Sequence, residues 1–282
     1  MADYRLAELC SALEIAPSGY YQWRKCKQSL RAQEDERLLH KIREIHHAKR
    51  ARYGSPRVHA ELKEAGERCS RKRVARLMRL NGIAAKHKRK FKATTDSGHK
   101  YAVAPNLLEQ NFKASEPNRV WTADITYCWT FEGWMYLAVV MDIYSRKIVG
   151  WAMSERMTRD LVIQAFVMAY KARNPSPGLI HHSDKGSQYA SDDFKSTLSA
   201  FGVRQSMSGK GNCYDNAVTE TFFHTLKTEL MFDCFFRTRE EARSAVFEYI
   251  EAFYNRDRRH STLGYCSPVK FEQYYAELRN VA

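Results

Sequence analysis

Residues 181–189 read HHSDKGSQY and residues 211–230 read GNCYDNAVTETFFHTLKTEL, and these two stretches decide how the chain is organised. The first places Asp184 directly after a short apolar run that ends at Ile180, which indicates a strand followed by a turn. The second has helical spacing, so Glu220 is expected about one turn into a helix. The chain therefore carries one acidic residue at a predicted strand end and another in a predicted helix.

A third acidic residue, Asp124, lies upstream in VWTADITY, residues 120–127, whose side chains alternate between two faces as in a strand. A charged residue in mid-strand is disfavoured unless it is paired or binds metal. Carboxylate oxygens suit Mg²⁺ or Mn²⁺, and no His/Cys cluster suggests a softer metal. The spacing of the three acids alone favours solvated or salt-bridged carboxylates, because a protein of this size offers many such triples.

The elements around these acids predict a mixed α/β sheet flanked by helices. Three closely spaced strands are expected to form an antiparallel meander, and the rest alternates between helix and strand. Asp142 has the setting of a turn-capping residue. The predicted strands are 120–127, 135–141, 147–153, 179–183 and 203–207, and the predicted helices are 158–173, 191–200, 216–230 and 237–253.

Length and composition exclude several classes of protein. The chain has 282 residues, of which 44% are hydrophobic, so it can bury a sizeable core and is expected to form about two domains. No apolar run is long enough for a membrane span, and the N-terminus lacks a signal-peptide pattern, so a cytoplasmic protein is expected. The seven cysteines are widely spaced, without CxxC, which favours reduced thiols.

The positive charge is concentrated in the first part of the chain. Residues 1–100 carry 25 Lys and Arg against 11 Asp and Glu, whereas residues 101–282 are balanced and the whole chain has a net charge of +14. This asymmetry indicates polyanion binding in one part and chemistry in another. A solvated basic surface is the alternative.

A short helix is predicted over residues 3–12 and another is predicted to start with residues 20–24, as a helix-turn-helix-like pair or an ordinary hairpin, and a longer helix is predicted over 33–48. Ser55 and Pro56 are expected to begin another helix, and Ser70 to cap the next, RKRVARLMRL. That helix has one apolar face and one cationic face, which suits DNA binding, although a plain solvated face has the same pattern. Its candidate DNA contacts are Lys72, Arg73, Arg76 and Arg79.

Several stretches resemble one known family. WTADITY, HHSDKGSQY and GNCYDNAVTETFFHTLKTE look like the OrfB product of the IS-three family of bacterial insertion sequences, whose core belongs to the DDE transposase and retroviral integrase superfamily. YGSPRVHAELKEAG followed by SRKRVARLMRLNGI resembles the helix-turn-helix module that precedes this core. The resemblance implies an RNase H-like mixed sheet, the integrase core, preceded by an all-α helix-turn-helix region.

The resemblance also implies a division of the chain and a set of site residues. Asp124, Asp184 and Glu220 become the metal-binding catalytic triad. Lys227, seven residues after Glu220, lies on the same helical face and is expected to reach a phosphate. Asn255, Arg256, Arg259 and His260, in another matching stretch, line the DNA path or form a basic turn. The segments are an N-terminal helical segment (1–32), a helix-turn-helix domain (33–92), a linker (93–118), the core (119–235) and a helical, basic extension (236–282).

The activity implied is that of a DNA transposase that cleaves and joins insertion-sequence ends, with Mg²⁺ or Mn²⁺ as cofactor, in two ions. The expected partners are double-stranded DNA, further copies of the chain on paired ends, and an upstream OrfA-type product, separate or fused by frameshifting. Such a protein would act at the bacterial nucleoid. Two rivals stay open: a non-catalytic DNA binder, which needs no carboxylates, and a nuclease of the same fold, which would not join strands.

Overall fold

The computed structural model describes residues 5–25, 28–86, 103–109, 114–209 and 217–281. The chain divides into two compact units, residues 1–85 and 86–282. Most of the predicted linker and the first residue of the helix predicted over 216–230 lie outside the described residues.

The N-terminal unit is helical, as the sequence predicts. Its second half packs three helices around buried side chains that include Leu38, Val58 and Val74. Ser70 caps the last helix as predicted, since its hydroxyl accepts a hydrogen bond from Arg73 N at 3.2 Å. The helices are α1 (Leu6–Ala12), α2 (Pro17–Lys25), α3 (Leu30–Ala48), α4 (Ser55–Glu64) and α5 (Arg71–Leu80).

The C-terminal unit contains a five-stranded mixed sheet. The strands are β1 (Val120–Thr130), β2 (Gly133–Asp142), β3 (Ile148–Ser154), β4 (Ile180–Ser183) and β5 (Arg204–Met207). Their order across the sheet is β3-β2-β1-β4-β5. The first three strands are antiparallel, and β4 and β5 continue the sheet in parallel with β1. The mixed sheet and the antiparallel meander predicted from the sequence are confirmed.

Helices cover both faces of this sheet. They are α6 (Arg159–Arg173), α7 (Ser187–Ala190), α8 (Asp192–Ala200), α9 (Ala217–Glu229), α10 (Arg239–Phe247) and α11 (Pro268–Val281). The helix predicted over residues 237–253 is not uniform, because α10 continues as a π-helical turn over Glu248–Tyr254. The wider π-helical turn changes the direction in which the following side chains point. A search for a hydrophobic period of 3.6 residues does not reveal such a turn.

The alternation of β1 sends its side chains to two different layers. Trp121 faces α6, where its ring lies 6.5 Å from that of Phe166. Thr122 faces the opposite layer and accepts a hydrogen bond from Thr219 of α9 at 2.8 Å. Asp124 is two residues further along and therefore shares the α9 side of the strand.

Close packing of α6 on the sheet depends on Gly150 of β3. A Cβ atom at this position would lie 2.3 Å from Ala165 O and 2.6 Å from Ala169 N. The backbone of α6 therefore rests directly on the strand, and any side chain at Gly150 would push the helix away.

The turn after β2 is built around Asp142. This carboxylate is fully buried and accepts hydrogen bonds from Tyr144 N at 2.8 Å and Asn118 N at 2.6 Å. The turn-capping role predicted for Asp142 is confirmed. In the same region Arg173 of α6 binds Glu272 of α11 at 2.7 Å, which fastens the C-terminal helix to the sheet layer.

Candidate active site

The parallel register of β1 and β4 places two of the three acids beside each other. Val120 pairs with Ile180, and the pairing continues up to Ala123 and Ser183. Asp124 in β1 and Asp184, the residue directly after β4, come next, so they stand next to each other where the pairing ends. The chain of β4 turns away at that point, where Asp184 accepts a hydrogen bond from Gly186 N at 3.0 Å.

The third acid comes from α9. Glu220 lies in the first turn of this helix and is exposed. The residue before it, Thr219, is fully buried and bonded to Thr122 of β1. This contact holds the start of α9 over the strand that carries Asp124.

The electrostatics of the acids shows that they share one region. Burial raises the pKa of the Asp124 carboxyl well above its usual range, and the negative charges of Asp184 and Glu220 raise it further. Burial and Asp184 also raise the pKa of Glu220. Three carboxylates whose charges oppose one another are a setting that a divalent cation would relieve.

The donor set fits a divalent metal in its chemistry, since it consists of carboxylate oxygens. In the conformation of this structure, no three His, Cys, Asp or Glu side chains among the described residues are grouped closely enough to hold a metal ion. Glu220, exposed at the start of its helix, is the acid with the most freedom to approach the other two.

Lys227 lies beside this acidic region. Its side chain is 9% exposed, and its Nζ lies 5.0 Å from the centre of the Tyr127 ring. Burial lowers the pKa of this ammonium group, whereas the charge of Asp124 acts in the opposite direction. A buried cation next to an acidic cluster can hold a phosphate that enters the site.

The cationic face predicted on α5 is present, but two of its members are already paired. Arg73 Nε lies 2.6 Å from one carboxylate oxygen of Asp35, and Arg76 Nη2 lies 2.5 Å from the other. Lys72 and Arg79 are exposed on the same helix. The sequence did not indicate a role for Asp35 on α3. Arg73 and Arg76 follow it by 38 and 41 residues, and no local sequence pattern connects residues so far apart.

Asn255, predicted to contact DNA, has its side chain turned into the protein. Its side chain is 2% exposed, and its amide both accepts from Ile148 N and donates to Ile148 O, each at 2.9 Å. Asn255 therefore fastens the π-helical turn to β3. The neighbouring Tyr254 is also buried and packs against Phe222.

The other predicted residues of that stretch lie nearer the surface. Arg256 is exposed, and Arg259 is half-buried with Nη1 donating to Tyr265 O at 3.0 Å. His260 is also half-buried, and its ring lies edge-on to Tyr254 at 4.9 Å.

Sequence reasoning missed a buried ion pair that supports the site. Arg258 Nη2 lies 2.8 Å from Glu229 Oε1, and both side chains are almost fully buried. Tyr249 OH donates to the other oxygen of Glu229 at 2.8 Å. Because Glu229 is the last residue of α9, this network fixes the end of the helix that carries Glu220 and Lys227. In the sequence Arg258 is indistinguishable from its basic neighbours.

Family models match most of the chain. The description "Integrase core domain" applies to residues 114–213 and again, from a second model, to residues 220–275. An "HTH-like domain" matches residues 33–91. These matches confirm the fold class expected from the sequence, an RNase H-like mixed sheet preceded by an all-α helix-turn-helix region.

Whole-length relatives identify the family more closely. The chain is 48% identical over 270 residues to an uncharacterized 31 kDa protein of insertion element IS600 from Shigella sonnei, covering 96% of this chain and 99% of the relative. It is 44% identical over 273 residues to transposase InsF for insertion sequence IS3A from Escherichia coli K12, covering 96% and 95% of the two chains. Among solved structures, the HTLV-2 integrase catalytic core domain in complex with magnesium aligns with a TM-score of 0.42 at 16% identity, over 57% of this chain and 99% of that one. The chain belongs to the IS3 family of insertion-sequence transposases.

Proposed function

We propose that this chain cuts the ends of an insertion element and joins them to target DNA, with Asp124, Asp184 and Glu220 as its catalytic carboxylates. The observation that carries the proposal is the register of β1 and β4, which sets Asp124 and Asp184 side by side. The raised pKa values of Asp124 and Glu220 support it, because perturbed carboxylates concentrate at catalytic sites.

The reaction is a phosphoryl transfer in two steps. In cleavage, a water oxygen bonds to phosphorus while the bond from phosphorus to the 3′ oxygen breaks, which leaves a 3′-hydroxyl and a 5′-phosphate. In joining, that 3′-hydroxyl attacks a target phosphodiester in the same way. Neither step needs a covalent bond to the protein, so no nucleophilic side chain is assigned.

Asp124, Asp184 and Glu220 would hold Mg²⁺ or Mn²⁺, in two ions. Such ions activate the attacking oxygen and stabilise the leaving oxygen. Lys227, placed by the ring of Tyr127, would contact the phosphate at this point.

The DNA path would use the basic residues that reach the surface. Lys72 and Arg79 on α5 and Arg256 after the π-helical turn are exposed. Arg73 and Arg76 would exchange Asp35 for phosphate oxygens on binding, and Arg259 and His260 would contribute from half-buried positions. This list omits Asn255, whose amide is engaged within the protein.

The active assembly would be a multimer on paired element ends, working with an OrfA-type product or as a fusion with it, at the nucleoid. The five segments expected from the sequence (1–32, 33–92, 93–118, 119–235 and 236–282) would be its working parts. Across the part of the chain that the structure describes, no helix has both the length and the apolar character needed to cross a bilayer.

A strand-transfer assay tests the proposal. A labelled duplex ending in an element's 3′-hydroxyl is mixed with plasmid and Mg²⁺, and the joined product is measured. Asp124→Asn is expected to abolish joining, because it replaces a proposed catalytic carboxylate. DNA binding should be kept, because the substitution removes a negative charge from the phosphate site. Asp192→Asn, at a side chain that is 83% exposed, is the matched control and should behave as wild type.

The same assay separates the rival functions. If Asp124→Asn joins strands as well as wild type does, the carboxylates are not catalytic and a plain DNA binder is left. If wild type hydrolyses an RNA–DNA hybrid but never joins a 3′-hydroxyl to plasmid, the chain is a nuclease of this fold.

A further inference from the structure

A cavity of about 300 Å³ opens beside the candidate active site, at one edge of β1. The pairing of β1 with β4 ends at Ala123, whereas β1 itself continues to Thr130. The chain that leaves α9 runs along this continuation, and Phe131 N donates to Phe236 O at 3.0 Å. The cavity lies between the two segments, and we call it the aromatic pocket after its lining, which includes Tyr127, Trp129, Trp134, Lys227, Phe232 and Phe235.

Rings form the wall of the aromatic pocket. Trp134 lies edge-to-face with Trp129 at 4.9 Å and with Tyr127 at 5.1 Å. Four of the lining rings are open to solvent, namely Trp129 (54% exposed), Phe131 (69%), Trp134 (46%) and Phe235 (83%). A group of exposed aromatic side chains around one concave site usually marks a binding surface.

Lys227 connects the aromatic pocket to the acids. It lines the pocket, its ammonium group lies 5.0 Å from the centre of the Tyr127 ring, and that group interacts electrostatically with Asp124. A ligand in the pocket would therefore lie close to a DNA strand whose phosphate reaches Asp124. Lys227 thus borders both the pocket and the acidic region.

The lining selects the chemistry of the ligand. Aromatic walls favour a flat π system, and a bordering ammonium group favours an adjoining phosphate. A nucleotide has both features, because its flat base is joined through the sugar to a phosphate. In an intact duplex the faces of each base are covered by neighbouring base pairs, so the base that enters must be unpaired.

The geometry points to the aromatic pocket as the site for one unpaired nucleobase of the DNA strand that is cut or joined at Asp124. This inference rests on the proposed function, because it takes DNA as the occupant of the neighbouring site. The base would stack on Trp129 or Trp134, and Phe235 would cover it. By holding that base, the pocket would fix the end of the strand with its phosphate at Lys227.

A binding experiment without metal tests the inference on the full chain. The probes are two short single-stranded oligonucleotides, identical except that one carries 2-aminopurine where the other is abasic. Wild type is expected to quench the 2-aminopurine fluorescence and to bind the base-containing probe about tenfold more tightly, as for one stacked base. Trp129→Ala and Phe235→Ser should lose both effects while keeping the wild-type circular dichroism.

Phe247→Ser is the matched control. This ring is 56% exposed on α10, does not line the pocket and packs near Trp151 at 6.2 Å, so the variant should keep the preference for the base. The inference is overturned if Trp129→Ala and Phe235→Ser discriminate between the probes as wild type does. It is also overturned if Phe235→Ser lowers the sedimentation coefficient of the protein but leaves its preference for the base-containing probe intact. That result would mean that a second copy of the chain occupies this face.

Failure of this inference can be told from failure of the proposed function. Wild type that joins strands with Mg²⁺ but does not prefer the base-containing probe contradicts the aromatic pocket alone. Wild type that prefers the base through Trp129 and Phe235 but neither cleaves nor joins DNA contradicts the function and leaves a single-strand binding site.

Discussion

Thr219 donates a hydrogen bond to Thr122 at 2.8 Å, and this contact joins α9 to β1 directly beside two of the candidate catalytic acids. Both threonines are completely buried. Glu220 follows Thr219 in the helix, and Asp124 lies two residues beyond Thr122 in the strand. This pair of hydroxyl groups therefore helps to set the distance between the helix acid and the strand acid.

Replacement of Thr219 by Val should therefore affect both stability and activity. The buried Thr122 hydroxyl would lose its donor, which costs about 1–3 kcal/mol in the free energy of unfolding. Displacement of α9 should reduce strand transfer by about ten- to a hundredfold. Thr219→Ser retains the hydroxyl and should restore most of the rate, although it leaves a small cavity. A variant with Val that is less stable but fully active would show that this bond does not position Glu220.

Removal of the Asp124 charge should stabilise the metal-free protein. The raised pKa of Asp124 means that its ionised form is disfavoured in the folded state, first by burial and then by Asp184. Asp124→Asn should raise the thermal midpoint by roughly 2–4 °C for each kcal/mol relieved. Mg²⁺ should raise the midpoint of wild type by mass action but not that of the variant. A lower midpoint for Asp124→Asn without metal would contradict this reading, and Asp192→Asn is again the control.

His181 should make the protein lose stability in mild acid. It is completely buried against Phe166 and Phe194, and burial lowers its pKa from 6.5 to about 3. Below pH 6.5 the unfolded chain therefore takes up a proton that the folded protein refuses. The free energy of unfolding therefore decreases as the pH is lowered from 6.5 to about 3, by up to about 1.4 kcal/mol per pH unit.

His181→Phe removes that proton uptake and keeps a ring in the same packing. Denaturant unfolding at pH 7 and pH 5 should show a smaller loss for the variant than for wild type. Equal losses at the lower pH would mean that other groups cause the acid sensitivity.

Lys227 should contribute to DNA binding through a phosphate. Lys227→Met keeps most of the buried side-chain length, so the fold should be retained, while the affinity for a DNA end should fall. The slope of log affinity against log salt should decrease by about one, as for the loss of a single phosphate contact. Lys171→Met, at an exposed position on α6, is the control. A salt slope identical to that of wild type would place the phosphate elsewhere.

The sequence predicted the parts of this fold that have a local signal. The alternation around Asp124 indicated β1, and Ser70 was correctly predicted as the cap of α5. The apolar run before Asp184 indicated β4, although the strand begins one residue later than expected. Period, capping and turn chemistry are properties of neighbouring residues, so a single sequence displays them.

Contacts between distant residues could not be predicted in this way. The buried amide of Asn255 bonds to Ile148 over a separation of 107 residues, and Arg73 reaches Asp35 over 38. Asn255 and Arg73 both lie in basic stretches, and the sequence around such a residue is the same whether its side chain faces DNA or the protein interior. The aromatic pocket also depends on such a contact, since Phe236 meets the end of β1 only after the chain has passed through α9.

Anomalous diffraction from crystals soaked in Mn²⁺ tests most directly whether the three acids form one metal site. Peaks in contact with the carboxylates of Asp124 and Asp184, with Glu220 drawn toward them, are the result that we expect. Crystals in which Mn²⁺ binds elsewhere, with these three carboxylates left without metal at saturating concentration, would contradict the assignment of the active site.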